Sequence, residues 1–278
     1  MVANKKPIVL VIAGHDPSGG AGIQADIESI VNAGCHAVTV ITSLTAQNTS
    51  EVTNISYQDP IFFEEQIKLI FNDFNISACK IGMIGNVDLV NIIHKGLSDI
   101  KIPIILDPII DSGTGKNLSP KKTYESILSL LLPLTTIITP NSIEAKILAE
   151  TEDLKNAGSK LLSRGRGSVL ITGSHEESSD VINTLYKRDA PPIEYTWKRL
   201  PGSFHGSGCT LSSRIAANVA LGNNLEIAVE EAQKYTWQTL KNGLELGKGQ
   251  IHPNRFFNKN DNICLLYTSD AADERSSV

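Results

Sequence analysis

Apolar residues along this chain follow two rhythms in turn. Six short runs, "PIVLVIAG", "HAVTVIT", "ACKIGM", "IPIILDP", "TTIITPN" and "GSVLITG", are bounded by glycine, proline or polar residues. They are apolar on both alternating faces, which predicts strands of a parallel sheet covered on each side. Between them, "AGIQADIESIVNAG", "PIFFEEQIKLIFNDF" and Val87–Leu97 carry apolar residues at helical spacing, as do Leu211, Ile215 and Val219 after a helix start near Ser207. The polar stretch "SLTAQNTSE" is expected to form a loop, followed by a short strand at "VTNISY". "DVINTLYKRD" and "IEYTWKRL" alternate polar and apolar residues about a proline-containing turn, which predicts an antiparallel hairpin on the sheet edge. The pattern predicts an α/β fold with helices on both faces of a mostly parallel sheet.

Composition narrows the function classes. The 278 residues suit one large α/β domain, and no linker-like shift or repeat divides them. With 25 basic against 30 acidic residues and no Lys/Arg block, nucleic acid is a poor partner. No apolar run is long enough to span a bilayer, and the N-terminal run reads as a buried strand rather than a signal peptide. Cys35, Cys79, Cys209 and Cys264 form no CxxC and no Cys/His cluster, which suits a reducing, cytoplasmic setting. The end of the chain, "CLLYTSDAADERSSV", breaks both rhythms and reads like translated sequencing-adapter sequence. The expected division is therefore a single domain over 1–263 and a non-native tail over 264–278.

Ligands of such sheets collect at the carboxyl ends of the strands, where the polar motifs lie: "AGHDPSGGAG", "TAQNT", "LDPIIDSGTG", "TPNSIEA", "ITGSH" and "HGSGCT". Gly206 and Gly208 flank the helix start near Ser207, whose unpaired N–H groups suit an anion, although these residues alone equally suit an ordinary glycine turn with a packed cysteine. Asp107, Asn141 and Glu144 bear oxygen atoms suited to Mg²⁺, directly or through water. Asn141 and Glu144 are equally suited to a capping box. Cys209 at the helix start is expected to have a lowered thiol pKa. Gly20-x-Gly22-x-x-Ala25 matches a dinucleotide fingerprint, but the acidic residue expected about 20 positions on is missing. A P-loop fails because "GHDPSGG" lacks its Gly-Lys-Ser/Thr ending.

Taken together, "AGHDPSGGAGIQADI", "TSLTAQNT", "KIGMIG", "ILDPII", "ITPNSIEA" and "HGSGCTLSS" resemble, in order, the hydroxymethylpyrimidine/phosphomethylpyrimidine kinases of thiamine synthesis. The resemblance runs from about Ile8 to about Phe257. It implies a ribokinase-like three-layer αβα sandwich that uses ATP and Mg²⁺ to phosphorylate 4-amino-5-hydroxymethyl-2-methylpyrimidine and its monophosphate. By resemblance, Asp16, Gln47 and Met83 form the pyrimidine pocket. Gly206, Ser207, Gly208 and Cys209 face the transferred phosphoryl. Asn141 and Glu144 hold phosphates and Mg²⁺, with Asp107 acting through water. Cys209 stands where most ribokinase-like kinases carry an aspartate base. Thr172 stands where better-known members have the lysine of "KGGH", which puts the second phosphorylation in question. A homo-oligomer, a dimer, is expected. The alternatives are a pyridoxal kinase and a catalytically silent relative that keeps the fold.

Overall fold

The computed structural model describes residues 6–110 and 120–258. The junction expected at residue 263 and the adapter-like tail lie outside the described residues. The strands are β1 (Ile8–His15), β2 (His36–Gln47), β3 (Val52–Tyr57), β4 (Ile76–Ile81), β5 (Ile104–Leu106), β6 (Ile137–Ile138), β7 (Ser168–Ile171), β8 (Asp180–Tyr186) and β9 (Ile193–Lys198). They form one nine-stranded sheet in the order β3-β2-β1-β4-β5-β6-β7-β8-β9. Pairing is parallel from β2 to β7 and antiparallel at β3, β8 and β9, so the predicted hairpin is present at one edge.

The period of two in β1 sorts its side chains between two cores. Leu10 and Ile12 pack with helices α2 (Pro60–Asp73), α3 (Val87–Leu97), α4 (Lys121–Ser126, continued by the buried Ile127 and Leu131), α5 (Ser142–Ala149) and α6 (Leu154–Arg164). Val9, Val11 and Ala13 pack instead with α1 (Gly22–Asn32), α7 (Ser207–Ala220) and α8 (Leu225–Lys241). This is the three-layer αβα arrangement. Removing a side chain such as Phe63 or Ile12 from water contributes roughly 1.5–3 kcal/mol each. Helix α8 is not anticipated by periodicity, because its buried positions include Gln233, Thr236 and Thr239 beside small apolar residues.

One expectation is corrected. Residues 43–47 are not loop but the end of β2, paired antiparallel with β3 from Ser43↔Tyr57 to Gln47↔Val52. The backbone hydrogen bonds of this pairing outweigh the polar composition of the stretch, and a register shift between Ala46 and Gln47 re-aims its last residue. Gln47 is thus held by a sheet. Strand order reverses between β1 and β4, and the carboxyl ends around that point frame the crevice where such sheets bind ligands.

Candidate active site

A cavity of about 470 Å³ opens along the carboxyl edge of the sheet, and every site residue expected from sequence lines it. At one end is the turn after β1. Gly19 and Gly22 adopt φ of +76° and +59°, and a Cβ on Gly22 would sit 2.4 Å from the Gly14 carbonyl oxygen. The Asp16 carboxylate holds this turn together: it accepts from the Ser18 and Ala21 backbone N–H groups, each at 2.8 Å, and from the Ser18 hydroxyl. His205 Nε2 lies 2.9 Å from its other face. Burial would raise its pKa, but His205, Ser18 and Ala21 bring it down to about 2. Asp16 therefore stabilises the turn as well as lining the cavity.

Gln47 stands half-buried beside this turn, its amide making no hydrogen bond to any described residue. Met83, after β4, is almost wholly buried and packs with Val52, Ile55 and Ile109. Its methyl group would come within 2.7 Å of a Cβ on Gly14, so the glycine makes room for it. This end offers an apolar wall and an amide with donors and acceptor open.

The other end is the start of α7. Gly206 caps it at φ 72°, where a Cβ would strike the Gly20 carbonyl oxygen at 2.0 Å. No side chain of a described residue caps α7, and its first residues line the cavity. A Cβ on Gly208 would meet nothing nearer than Asp107 Oδ2 at 3.8 Å, so Gly208 leaves space open before that carboxylate. Asp107, 4% exposed, accepts from the Ser212 hydroxyl at 3.1 Å. Burial pushes its pKa up to about 6; Lys80 opposes this and Asp26 adds to it.

The expectation of a thiolate at Cys209 is overturned. Burial pushes this thiol up to about 12; Lys80 pulls it down while Asp26 and Asp107 push it further up. Loss of hydration outweighs the opposing pull of Lys80 and favours the neutral thiol.

Asn141 and Glu144 form the capping box of α5: Asn141 Oδ1 accepts from Glu144 N and Glu144 Oε2 accepts from Asn141 N, both at 2.9 Å. The Glu144 carboxylate also accepts weakly from Ile110 N at 3.4 Å. Thr172, just past β7, is tied to the same helix start, donating to Pro140 O at 3.0 Å and accepting from Ser142 N at 2.9 Å. The capping box and the cavity-lining role thus coexist.

Among the described residues, no three His, Cys, Asp or Glu side chains group to hold a metal. Mg²⁺ at a phosphate site needs only one or two carboxylates, with water and phosphate completing the shell. Asp107 and Glu144 fit that need: both line the cavity, and a cation would offset the burial that raises the Asp107 pKa.

Sequence reasoning missed two features. Lys80, which lines the cavity, forms a buried ion pair with Asp26, signalled only by a charge in a buried phase of β4 and of α1. Arg199 donates to the carbonyls of Ser174, Ser178 and Glu176 at 2.8, 2.8 and 2.7 Å, strapping the loop after Thr172.

The pattern of the phosphomethylpyrimidine kinase family matches residues 16–254. The chain is similar to the hydroxymethylpyrimidine/phosphomethylpyrimidine kinase of Aquifex aeolicus, 36% identical over 249 residues covering 87% of this chain and 97% of that one. It is 34% identical to the enzyme of the same name from Synechococcus elongatus over 250 residues, 88% of this chain and 95% of that one. A phosphomethylpyrimidine kinase structure from Clostridium difficile superposes with a TM-score of 0.74 at 31% identity, covering 84% of this chain and 100% of that one. The pyridoxal kinase of Staphylococcus aureus in complex with ADP gives 0.82 at 23% identity over 90% and 93%, a likeness of fold. Among the described residues, no helix is long and apolar enough to cross a membrane.

Proposed function

The chain belongs to the phosphomethylpyrimidine kinase family, and we propose that it transfers the γ-phosphoryl group of ATP to the hydroxymethyl oxygen of 4-amino-5-hydroxymethyl-2-methylpyrimidine, then phosphorylates the monophosphate. The observation that carries this reading is one cavity with two unlike ends. Gln47 and Met83 offer an amide and an apolar wall to an aminopyrimidine, and the uncapped start of α7 faces them with N–H groups for phosphate.

The chemistry follows from that layout. The amides of Ser207, Gly208 and Cys209 take up charge developing on the phosphoryl oxygens. Asp16 keeps the turn rigid against the pyrimidine ring, and Gln47 orients the ring so that the hydroxymethyl oxygen attacks in line. Thr172 and Asn141 face the nucleotide phosphates. Glu144, and Asp107 through water, would hold Mg²⁺, which would supply charge neutralisation at the phosphates. As a neutral thiol, Cys209 shapes the floor under the phosphoryl rather than taking the proton; loose phosphoryl transfer needs little help from a base.

We place the enzyme in the cytoplasm, where ATP is abundant and the free Cys35, Cys79 and Cys209 stay reduced. We expect a homodimer, with the exposed Ile61, Phe62 and Leu69 of α2 as a candidate apolar contact. Sedimentation velocity reads that assembly directly.

Coupled ADP-release assays with the pyrimidine alcohol, its monophosphate and pyridoxal test the main reading. The alcohol is expected to give the highest kcat/KM. A clear preference for pyridoxal transfers the assignment to a vitamin B6 kinase, and binding without turnover of any substrate makes the protein a silent relative.

A further inference from the structure

Arg255 does not line the cavity, yet it joins both of the cavity's ends. It is 3% exposed and spreads its guanidinium over three segments. Nε donates to Thr210 Oγ1 at 3.0 Å on the first turn of α7. Nη2 donates to the Gly20 carbonyl, and Nη1 to the Gly19 carbonyl at 3.4 Å, both in the turn after β1. Nη1 also pairs with Glu28 at 3.1 Å on α1. Thr210 passes the link on, since its hydroxyl donates to the Gly206 carbonyl at 2.9 Å. At this seam Gly206 lies directly on Gly20, with no side chain between them.

Arg255 is itself anchored. Its carbonyl accepts from the Tyr235 hydroxyl at 2.8 Å, and Asn254 N donates to the Thr239 carbonyl at 3.0 Å, so α8 fixes the segment that carries it. A planar guanidinium holds several acceptors at fixed angles, which a lysine ammonium on a flexible stem does not. Phosphoryl transfer depends chiefly on the alignment of attacking oxygen and phosphorus, and a misplacement of about 1 Å arising away from the chemistry can lower the rate on the order of 100-fold.

We propose that Arg255 is a positioning residue that sets the separation and angle between the pyrimidine-binding turn and the phosphate-binding start of α7. The inference rests on the kinase reading above. Each half-site is complete without Arg255, because neither takes a ligand-facing group from it. What Arg255 supplies is their relation. Its loss therefore degrades transfer more than binding of either substrate.

The test compares Arg255→Gln and Arg255→Lys with the parent protein by calorimetric binding of the pyrimidine alcohol and of a non-hydrolysable ATP analogue, by kcat, and by ADP formed per product phosphorylated. Expected for Arg255→Gln are binding constants within about threefold, a kcat about 10–100-fold lower, and an ADP-to-product ratio above that of the parent as water competes for a misaligned phosphoryl. Arg255→Lys should recover part of kcat. If Arg255→Gln does not fold, Thr210→Val removes the Nε acceptor together with the onward hydrogen bond to the Gly206 carbonyl, leaves the Gly19, Gly20 and Glu28 contacts in place, and should show the same split on a smaller scale. Unchanged kcat, or losses of binding and turnover in proportion to the unfolded fraction, overturns the proposal. A parent protein that binds but never phosphorylates the alcohol overturns the kinase reading instead.

Discussion

Lys80 Nζ lies 2.9 Å from one Asp26 oxygen and 3.0 Å from the other, and solvent reaches neither side chain. Burial works against the lysine's charge, but Asp26 foremost, with the neighbouring Asp107, holds its pKa above the usual range. Asp26 also accepts from the Ser213 hydroxyl at 2.6 Å, so the pair bolts α1 and α7 to β4. Lys80→Met leaves a buried carboxylate without its counter-ion and should lower unfolding free energy by about 3–5 kcal/mol. Lys80→Met combined with Asp26→Asn should recover most of that loss. Urea unfolding of the three proteins checks this, and a single variant as stable as the parent contradicts it.

That pair also marks what the sequence could not display. Asp26 and Lys80 are 54 positions apart, and only the fold brings them together. The apolar runs made the strands, the edge hairpin and the carboxyl-edge site legible, because a period of two and buried β-branched residues act locally. Residues 43–47 misled because polar composition suggests a loop, whereas β3 supplies partners to the β2 backbone. The Cys209 thiol misled for another reason. A helix start is visible in sequence, but the desolvation that outweighs it is a property of the packed protein.

Stability against pH should carry two carboxylate signatures of opposite sign. Asp16 falls from 3.8 to about 2 on folding, so its contribution is present above pH 4 and is lost as pH falls through about 2. That contribution is about 2 kcal/mol, and Asp16→Asn should remove it at neutral pH. Asp107 rises from 3.8 to about 6, so the fold favours its protonated form and loses stability as pH climbs from 4 through 6. Asp107→Asn should therefore raise the ligand-free protein's stability near pH 7 by about 3 kcal/mol at most, while lowering activity. Thermal unfolding of both variants between pH 3 and pH 8 reads the two slopes, and identical slopes would count against this assignment.

Cys209 should behave as a buried thiol. Iodoacetamide labelling at pH 8 should be slow, and it should accelerate only under alkaline conditions. Cys209→Ala should lower kcat by less than about 10-fold, with nucleotide binding intact. A fall of about 10²–10⁴-fold with binding intact would instead give Cys209 a proton-acceptor role.

Glu144→Gln separates the cap from the charge. Glutamine can still accept from Asn141 N and complete the box, so folding should be preserved. The variant loses the carboxylate proposed for Mg²⁺, and it should show a kcat lower by about 10-fold or more with a higher Mg²⁺ requirement. Normal activity per folded molecule would leave Glu144 as a helix cap only.

Thr172→Lys addresses the second phosphorylation. The monophosphate brings a charge of about −1.5 to −2 into the cavity at neutral pH. Each lysine or arginine lining the cavity is already engaged: Lys80 with Asp26, Lys198 with Asp180 at 3.2 Å, and Arg199 with three carbonyls. Thr172 is held through its backbone, and its hydroxyl makes no hydrogen bond to a described residue, so the side chain can change without unpicking the fold. A lysine there adds an uncommitted cation beside the phosphates, and a cation acts more strongly on a dianionic substrate than on a neutral alcohol. The expected result is a kcat/KM for the monophosphate higher by about 10-fold, with that for the alcohol within about threefold. Parallel gain or loss with both substrates would show that charge at Thr172 does not govern the choice between them.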